Sequence, residues 1–429
     1  MKFKIRLFYT ILVFCSVAGL IGTMILPGQE RNVRFLLVVC DGIMLGLALL
    51  ALWRNRSYYG VWAFIIFILG STTTYLYTSD RFAILEHLNG MRDSLFFFGS
   101  LVVVYDIYHS EYKADFIHWF TRFLLFFAVV QLPVAVVQFI RFGAGDGVGG
   151  TYGTAGGSGY LSQLLFLICF YLAVRYASLE DGSHFSLKRL PWILILLIPC
   201  AINETKISFV LLAAFIALIA GSRKRILRIL PMLLLGFVLV YMLNYVYVRT
   251  EEEQEDIFDP QFIEQYLLTN TAEAGADLPR FQRLVIMFRM MGNDTGSLLF
   301  GMGYGVVGGG NILGVSRLGR ALYYLMQGSR ILLFRTWIQG GLLNVLTMLF
   351  AVFGWVRVRT YQYPTLRKFY WFLIFALLVS WSYDEGLLDR VFAPVVAYFM
   401  MWITDGGKSE EDVELLAEEA HEDGQPDAA

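Results

Sequence analysis

The interval that decides how this chain reads begins RTEEEQEDIFDP, residues 249–260, and runs on to Arg335. It opens with the carboxylates Glu251, Glu252, Glu253, Glu255, Asp256 and Asp259. It continues through two short amphipathic segments, a glycine cluster from Gly301 to Gly310, and a series of arginines. Long apolar stretches lie on both sides. Over all 429 residues the hydrophobic fraction is 57%, the charged fraction 16%, and the mean hydropathy +0.59. Soluble domains carry about 25% charged residues, so this is the composition of an integral membrane protein. Residues 249–335 are the long polar break in it.

Working outward, a hydrocarbon core about 30 Å thick takes roughly 20 apolar residues per helix. That template places spans near 7–26, 35–53, 60–78, 94–109, 117–140, 160–178, 190–203, 206–221, 227–248, 336–356, 368–383 and 390–404. The expected fold is therefore an all-α polytopic membrane protein with about 12 transmembrane helices. The pair at 190–203 and 206–221 flanks Asn203-Glu204-Thr205-Lys206. It reads either as two helices meeting at a tight turn or as one long broken helix. The start, MKFKIRLFYTILVFC, reads as an uncleaved first helix. Cys15, Cys40, Cys169 and Cys200 all lie in apolar runs, which argues against a disulfide-stapled exterior domain.

The loops divide Lys and Arg unevenly. One side carries 18, among them Lys2, Lys4, Arg6, Arg54, Arg56 and Arg223 to Arg228; the short loops of the other carry 7, namely Arg31, Arg34, Arg81, Arg92, Arg141, Lys206 and Arg390. By the positive-inside rule both termini are cytoplasmic and 249–335 faces outward. The expected organisation is helices 1–9 over 1–248, a large extracytoplasmic loop with short helices over 249–335, and helices 10–12 over 336–404. An acidic cytoplasmic tail over 405–429 follows. No internal repeat is visible, which lowers the case for a transporter built from inverted repeats. The net charge of −1 says nothing of nucleic acid, and none is expected as a partner.

Within this frame the outward arginines carry the most chemistry. Arg280, Arg283 and Arg289 lie in LPRFQRLVIMFRMM, residues 278–291, a helical pattern in which Arg280 and Arg283 share a face. Arg317 and Arg320 repeat the spacing, and Arg330 and Arg335 lead into the next span. Guanidinium groups pair bidentately with phosphate oxygens and keep their charge, so the cluster suits a diphosphate headgroup. The same arginines can instead pair with the acidic run or with lipid phosphates, interactions that are common and weak. Glu204 and Lys206 sit at the rim of two spans, where ionisable groups are costly and mark functional positions. Asp41 earns the same remark at lower weight. Asp384, Glu385 and Asp389 form a further outer acidic loop, and any of these carboxylates can serve as a general base. Of five histidines only His87 faces outward, and the 249–335 interval has neither His nor Cys, so no metal site is expected. Two GxGxxG strings, Gly145 to Gly150 and Gly303 to Gly308, lack the strand and βαβ unit of a dinucleotide site. They read as flexible backbone beside a substrate or as tight surface loops.

From about Gly143 to Leu343 the arrangement resembles the O-antigen polymerase and O-antigen ligase family, the Wzy-type polysaccharide polymerases included. Four places carry it: Gly150-Thr151-Tyr152-Gly153 before a span; the polar turn Glu204-Thr205-Lys206-Ile207-Ser208; Arg283-Leu284 followed by Gly301 and Gly303; and Trp337-Ile338-Gln339-Gly340-Gly341-Leu342-Leu343. The family's ligases have a histidine shortly before that last helix, where this chain has about Arg330 and no histidine in the loop. Lys206 stands where the family usually has arginine, and only Arg141 can fill the basic position ahead of Gly150. These departures favour a polymerase over a ligase.

The resemblance implies a metal-independent, cofactor-free glycosyltransferase. It would join polyprenyl-diphosphate-linked repeat units on the outer face of the bacterial cytoplasmic membrane. It assigns catalysis to Arg283, with Lys206 as a supporting cation and Glu204 as base. Substrate binding falls to Arg280, Arg317, Arg320, Arg330, Arg335 and Arg141, with Gly153, Gly301 and Gly303 letting backbone approach the substrate. The implied partners are the lipid-linked oligosaccharide, membrane lipids, a chain-length regulator and a flippase. Two alternatives stay open: a ligase that transfers finished glycan to a lipid or protein, and a polysaccharide transporter or flippase.

Overall fold

A computed structural model describes residues 2–80, 83–143, 145, 147–154, 157–178, 185, 188–203, 205, 207–220, 280–292, 294–306, 331–356 and 364–407, with backbone alone at 178 and 280–282. Glu204, Lys206, Arg317, Arg320, Arg330, the expected span at 227–248 and the acidic tail from 408 onward lie outside these residues.

Every described element is helical. In chain order these are α1 (Lys2–Leu20, prolonged by a π turn Ile21–Ile25), α2 (Glu30–Leu52), α3 (Tyr59–Thr78), α4 (Ile84–Tyr108), α5 (Lys113–Phe142) and α6 (Ser158–Ser178). Next come α7 (Leu190–Ile195), α8 (Ile198–Ile202), α9 (Ile207–Ala220), α10 (Arg280–Met291), α11 (Thr295–Phe300), α12 (Leu332–Phe353), α13 (Pro364–Tyr383) and α14 (Phe392–Thr404). Among the described residues, six helices are long and apolar enough to cross a membrane: α1 with its π turn, α2, α3, α5, α6 and α12. This is the fold of a helical membrane protein.

Each expected span that falls on described residues coincides with helix. The region 190–221 resolves into helices meeting at a turn, since α8 stops at Ile202 and α9 starts at Ile207. Pro191 and Pro199 open α7 and α8, where a missing N–H costs nothing.

Charge and length explain why other helices miss the apolar criterion. α4 carries Glu86, Arg92, Asp93 and Asp106, yet it runs through the interior, packed against α2, α3 and α14. α14 is short, and every residue from Phe392 to Ile403 is buried. A helix that is apolar all round belongs in a core, and α14 fills the space beside α4. α6 is likewise enclosed by α13, α9 and α5. Aromatic rings set the spacing there: Phe120 stacks on Tyr398 at 4.3 Å and Phe170 on Phe372 at 4.5 Å. By contrast α2, α3 and α5 expose Phe35, Leu50, Leu69, Leu76, Phe126 and Ile140, the side chains that lipid solvates.

The bundle has two polar ends. At one, Arg54 donates Nε and Nη2 to Asp106 at 3.0 and 2.7 Å, Lys4 approaches Asp106 at 3.6 Å, and Lys113 pairs with Asp405 at 2.6 Å. The start of α1, the link from α2 to α3, the link from α4 to α5 and the end of α14 meet there. At the other end the 150–153 turn, residues 301–306 and the 384–391 loop gather around α1, α4 and α14.

Candidate functional site

The second polar end holds a network of six charged groups from four parts of the chain, with Asp41 and Arg335 buried and Arg92, Asp93, Glu385 and Arg390 half-buried. α2 supplies Asp41, α4 supplies Arg92 and Asp93, α12 supplies Arg335, and the 384–391 loop supplies Glu385 and Arg390. Arg390 forks onto Asp41, with Nε to Oδ1 at 2.7 Å and Nη2 to Oδ2 at 2.8 Å, and reaches Asp93 Oδ1 at 2.9 Å. Arg335 bridges Asp93 Oδ2 and Glu385 Oε2, each at 2.7 Å. The Arg92 Nε lies 2.8 Å from Asp41 Oδ2. Consecutive positions on a helix point about 100° apart, at 3.6 residues per turn. Arg92 therefore meets Asp41 of α2 while Asp93 meets Arg335 of α12.

Burial makes these pairs interdependent. The Arg335 and Asp41 side chains are only 3% and 5% exposed. An isolated ion at that depth loses several kcal/mol of hydration, so each guanidinium is matched by carboxylate. Three cations face three anions, and the network is neutral as a unit. Bidentate arginine geometry strengthens the pairing beyond that of point charges.

The loop that carries Glu385 and Arg390 is fixed by its own acids. Asp384 accepts from the Gly386 amide at 2.6 Å and from Gln163 Nε2 of α6 at 3.2 Å, while its backbone carbonyl accepts the Leu332 amide at 3.0 Å and ties down the start of α12. Asp389 Oδ1 accepts from the Val391 and Phe392 amides at 2.8 and 2.9 Å, satisfying donors at the start of α14, and from Tyr152 Oη at 2.9 Å. Burial pushes the Asp389 carboxyl above its ordinary value. Tyr160 Oη donates to Glu385 Oε1 at 3.3 Å.

Tyr152 belongs to the Gly150-Thr151-Tyr152-Gly153 turn, which is thereby fastened to the loop that carries Glu385 and Arg390. Two glutamines of α5 hold this turn. Gln138 exchanges two hydrogen bonds with the Gly150 backbone at 2.7 and 2.8 Å, and Gln131 bonds both the Thr151 amide and its hydroxyl at 2.8 Å. Gly153 has φ 93° and lies so close to α1 that a Cβ would sit 2.7 Å from Thr23 Oγ1. Its glycine is needed for packing on α1. Arg141, on the last turn of α5, is exposed with its guanidinium over the Phe142 ring. It stands apart from the network.

Gly301 and Gly303 also have a structural assignment. α12 breaks at Gly341, where φ is 64° and ψ −164°. Residues 301–303 dock into the break: the Met302 amide donates to the Ile338 carbonyl at 2.7 Å and the Gly303 amide to the Gln339 carbonyl at 3.1 Å. The approach is backbone to backbone. A Cβ on Gly301 would lie 2.6 Å from the Gln339 backbone, and one on Gly341 only 2.2 Å from the Leu299 carbonyl oxygen. The ring of Tyr304 then enters the core against His87 and Phe67.

Of the remaining expected site residues, Arg283 is buried at 3% exposure on α10. It shares a helical face with Met287 and Met291, which pack on Ile331, Phe334 and Ile338 of α12. Arg280 begins α10, and only its backbone is described. Glu204 and Lys206 are outside the described residues, but their neighbours Asn203 and Thr205 are within them. Asn203 bonds the Ser158 carbonyl and Ser162 Oγ on the first turns of α6, and Thr205 Oγ1 bonds Asn203 at 2.8 Å. Gln163, next to Ser162, bonds Asp384, so α6 stands between Asn203 and the acidic loop.

Sequence reasoning treated Arg92 and Arg390 only as charges to be counted, and it passed over Asp93. The available signal was the Arg92-Asp93 pair, two opposite charges side by side immediately before an apolar run. No protein-family model matches the chain, and no curated protein is significantly similar to it.

Proposed function

We propose that this chain is a membrane glycosyltransferase that polymerises a bacterial surface polysaccharide from polyprenyl-diphosphate-linked repeat units. The observation that carries the reading is the enclosed network itself: Arg92, Arg335 and Arg390 interleaved with Asp41, Asp93 and Glu385, with Tyr160 of α6 on Glu385 and Tyr152 of the Gly150–Gly153 turn on Asp389 in the loop that carries Arg390. Ionisable groups held among apolar helices are expensive and mark functional positions. The reading includes about twelve spans, cytoplasmic termini, and a site on the outward face of the cytoplasmic membrane.

In this reading an acceptor hydroxyl of the incoming unit attacks the anomeric carbon of the growing chain. The bond from that carbon to the carrier diphosphate breaks, and its electron pair leaves with the diphosphate. The hydroxyl proton passes to a carboxylate. Glu204 and Glu385 are the two candidate bases. Arg283, with Arg280 and Arg330, stabilises the leaving diphosphate by preorganised charge, and Lys206 supports it. Arg335 is already shared by two carboxylates, so its role is to exchange one of them for a substrate anion. The energy resides in the sugar–diphosphate bond, and neither nucleotide nor metal enters the balance.

A second reading, a polysaccharide transporter or flippase, is favoured by the break in α12. Discontinuous helices frame substrate and ion sites in many transporters. Around this break Tyr304 Oη, His87 Nδ1, Gln339 Oε1 and Asn344 Oδ1 are buried with no hydrogen-bond partner among the described residues. One assay separates the readings. Purified protein in liposomes is supplied with lipid-linked repeat units, and the products are run on a gel. A ladder supports the polymerase, and a single transferred band supports the ligase alternative. Unchanged donor on the opposite leaflet supports transport.

A further inference from the structure

At the opposite end of the bundle, remote from the charged network, a groove of about 830 Å³ lies between α1 and the first third of α5. Its charged lining is cationic: Lys2 and Arg6 of α1 and Arg122 of α5 stand against a single acid, Asp115. Lys2 is held there with its ammonium over the Tyr112 ring at 5.6 Å. The wall turns apolar through Phe123 and Phe126, and a continuation along α1 is lined by Tyr9, Val13, Phe14 and Val17. Charge at the rim, aromatic rings beneath it and an aliphatic trough beyond form the profile of a phospholipid.

Arg122 makes the argument specific. It is nine residues into α5, about 13 Å along the axis from Lys113. It is exposed on the outer face between Trp119 and Phe126, which are 57% and 66% exposed. Neither Arg6 nor Arg122 forms an ion pair among the described residues, whereas Lys4, Arg54 and Lys113 at the same end all do. A guanidinium on a lipid-facing surface at that depth is costly unless paired, and Asp115 alone leaves the three cations of the groove in excess. The helical repeat places Lys2, Arg6 and Thr10 on one stripe of α1, so the cations of α1 face the one on α5 across the groove.

We propose that this groove binds an anionic glycerophospholipid, its phosphate between Arg6 and Arg122 with Lys2 at the rim, and an acyl chain lying along Val13, Phe14 and Val17. The inference is independent of the catalytic reading. The test is native mass spectrometry of the purified full chain from micelles that contain equimolar phosphatidylglycerol and phosphatidylcholine. Each arginine that contacts the phosphate is expected to favour the anionic lipid about fivefold, so the pair gives about a 25-fold excess of bound phosphatidylglycerol. Arg6→Gln and Arg122→Gln should each lose about fivefold of it, and the double variant nearly all. Arg56→Gln, whose guanidinium stacks on Trp53 outside the groove, should lose none. Because the double variant can fail to fold, the wild-type unfolding midpoint is also followed as each lipid is added. It should rise with phosphatidylglycerol and not with phosphatidylcholine. Equal retention of the two lipids, an undiminished excess in a folded double variant, or displacement of phosphatidylglycerol by equimolar polyprenyl phosphate would each overturn the proposal.

Discussion

Asp93→Asn is the sharpest test of the charged network. Asp93 lies among three guanidinium groups, with Arg335 Nη2 at 2.7 Å on one oxygen, Arg390 Nη2 at 2.9 Å on the other, and Arg92 Nη2 at 3.9 Å. Asparagine keeps the shape but removes the charge, and it turns an amide N–H toward a guanidinium. The six-group network then carries three cations against two anions. Arg335 keeps Glu385 and Arg390 keeps Asp41, and Asp93 is itself 23% exposed, so the loss should be that of charged hydrogen bonds, about 1.5–3 kcal/mol, rather than that of an orphaned buried ion. The double variant Asp93→Asn/Arg335→Gln removes one charge of each sign. Its loss should fall short of the sum of the single losses by about 0.5–3 kcal/mol. The assay is equilibrium unfolding of the four proteins in mixed micelles with rising SDS. A loss for Asp93→Asn below about 1 kcal/mol, the range of solvated surface pairs, or strict additivity of the two changes, would refute the view that these groups act as one unit.

Other consequences follow from the same contacts. Gly341→Ala should disrupt the break in α12. A non-glycine residue at φ 64°, ψ −164° costs about 1–3 kcal/mol of strain, and its Cβ would displace the Leu299 carbonyl. Amide exchange at 299–304 should accelerate, and unchanged exchange would contradict the docking described. Tyr152→Phe removes the hydroxyl bonded to Asp389, which should cost about 1 kcal/mol in the same unfolding assay; no change would show that the turn and the acidic loop are uncoupled. Asp294 accepts from Tyr77 Oη and Ser297 Oγ, each at 2.6 Å, and these bonds hold its pKa at about 2. The folded value is depressed, so its stabilising contribution is complete above the ordinary value of about 3.9 and is lost as pH falls through about 2. A carbon NMR titration of its carboxyl should show that low midpoint, and an ordinary midpoint would remove the link from α11 to α3. Arg283→Ala should weaken donor binding and abolish long chains in the liposome assay, while normal ladders would shift the diphosphate role elsewhere.

The helices were legible because apolar runs of bilayer length leave few other readings. The site was legible in pieces. The Gly150–Gly153 turn and the acids at 384–389 stood out, but nothing local tied them to Asp41 or to each other. Hydropathy starts the fourth span at Ser94, since Arg92 and Asp93 look like loop residues. The helix in fact starts at Ile84 and carries them inward, because Arg335 and Arg390, remote in sequence, neutralise Asp93. Such compensation is tertiary and invisible to a sliding window. In the sequence Arg335 stands at the loop's edge, yet α12 opens at Leu332 and includes it. The string Gln339-Gly340-Gly341 falls near the start of the expected 336–356 span and is a break within α12. A pair of glycines in an apolar run already hints at a break. Gly301 and Gly303 read in the sequence as backbone beside a substrate or as a tight surface loop; in the structure the Met302 and Gly303 amides satisfy carbonyls that the break exposes.

The central claim is that a sugar–diphosphate bond supplies the energy for joining repeat units, and stoichiometry tests it most directly. Purified protein in liposomes is given lipid-linked repeat units without nucleotide, and free polyprenyl diphosphate is counted against new glycosidic bonds. The account predicts one carrier diphosphate released for every bond formed, with Asp93→Asn and Arg283→Ala reducing both together. Release without chain growth, chain growth without release, or movement of intact donor across the bilayer with neither would contradict it.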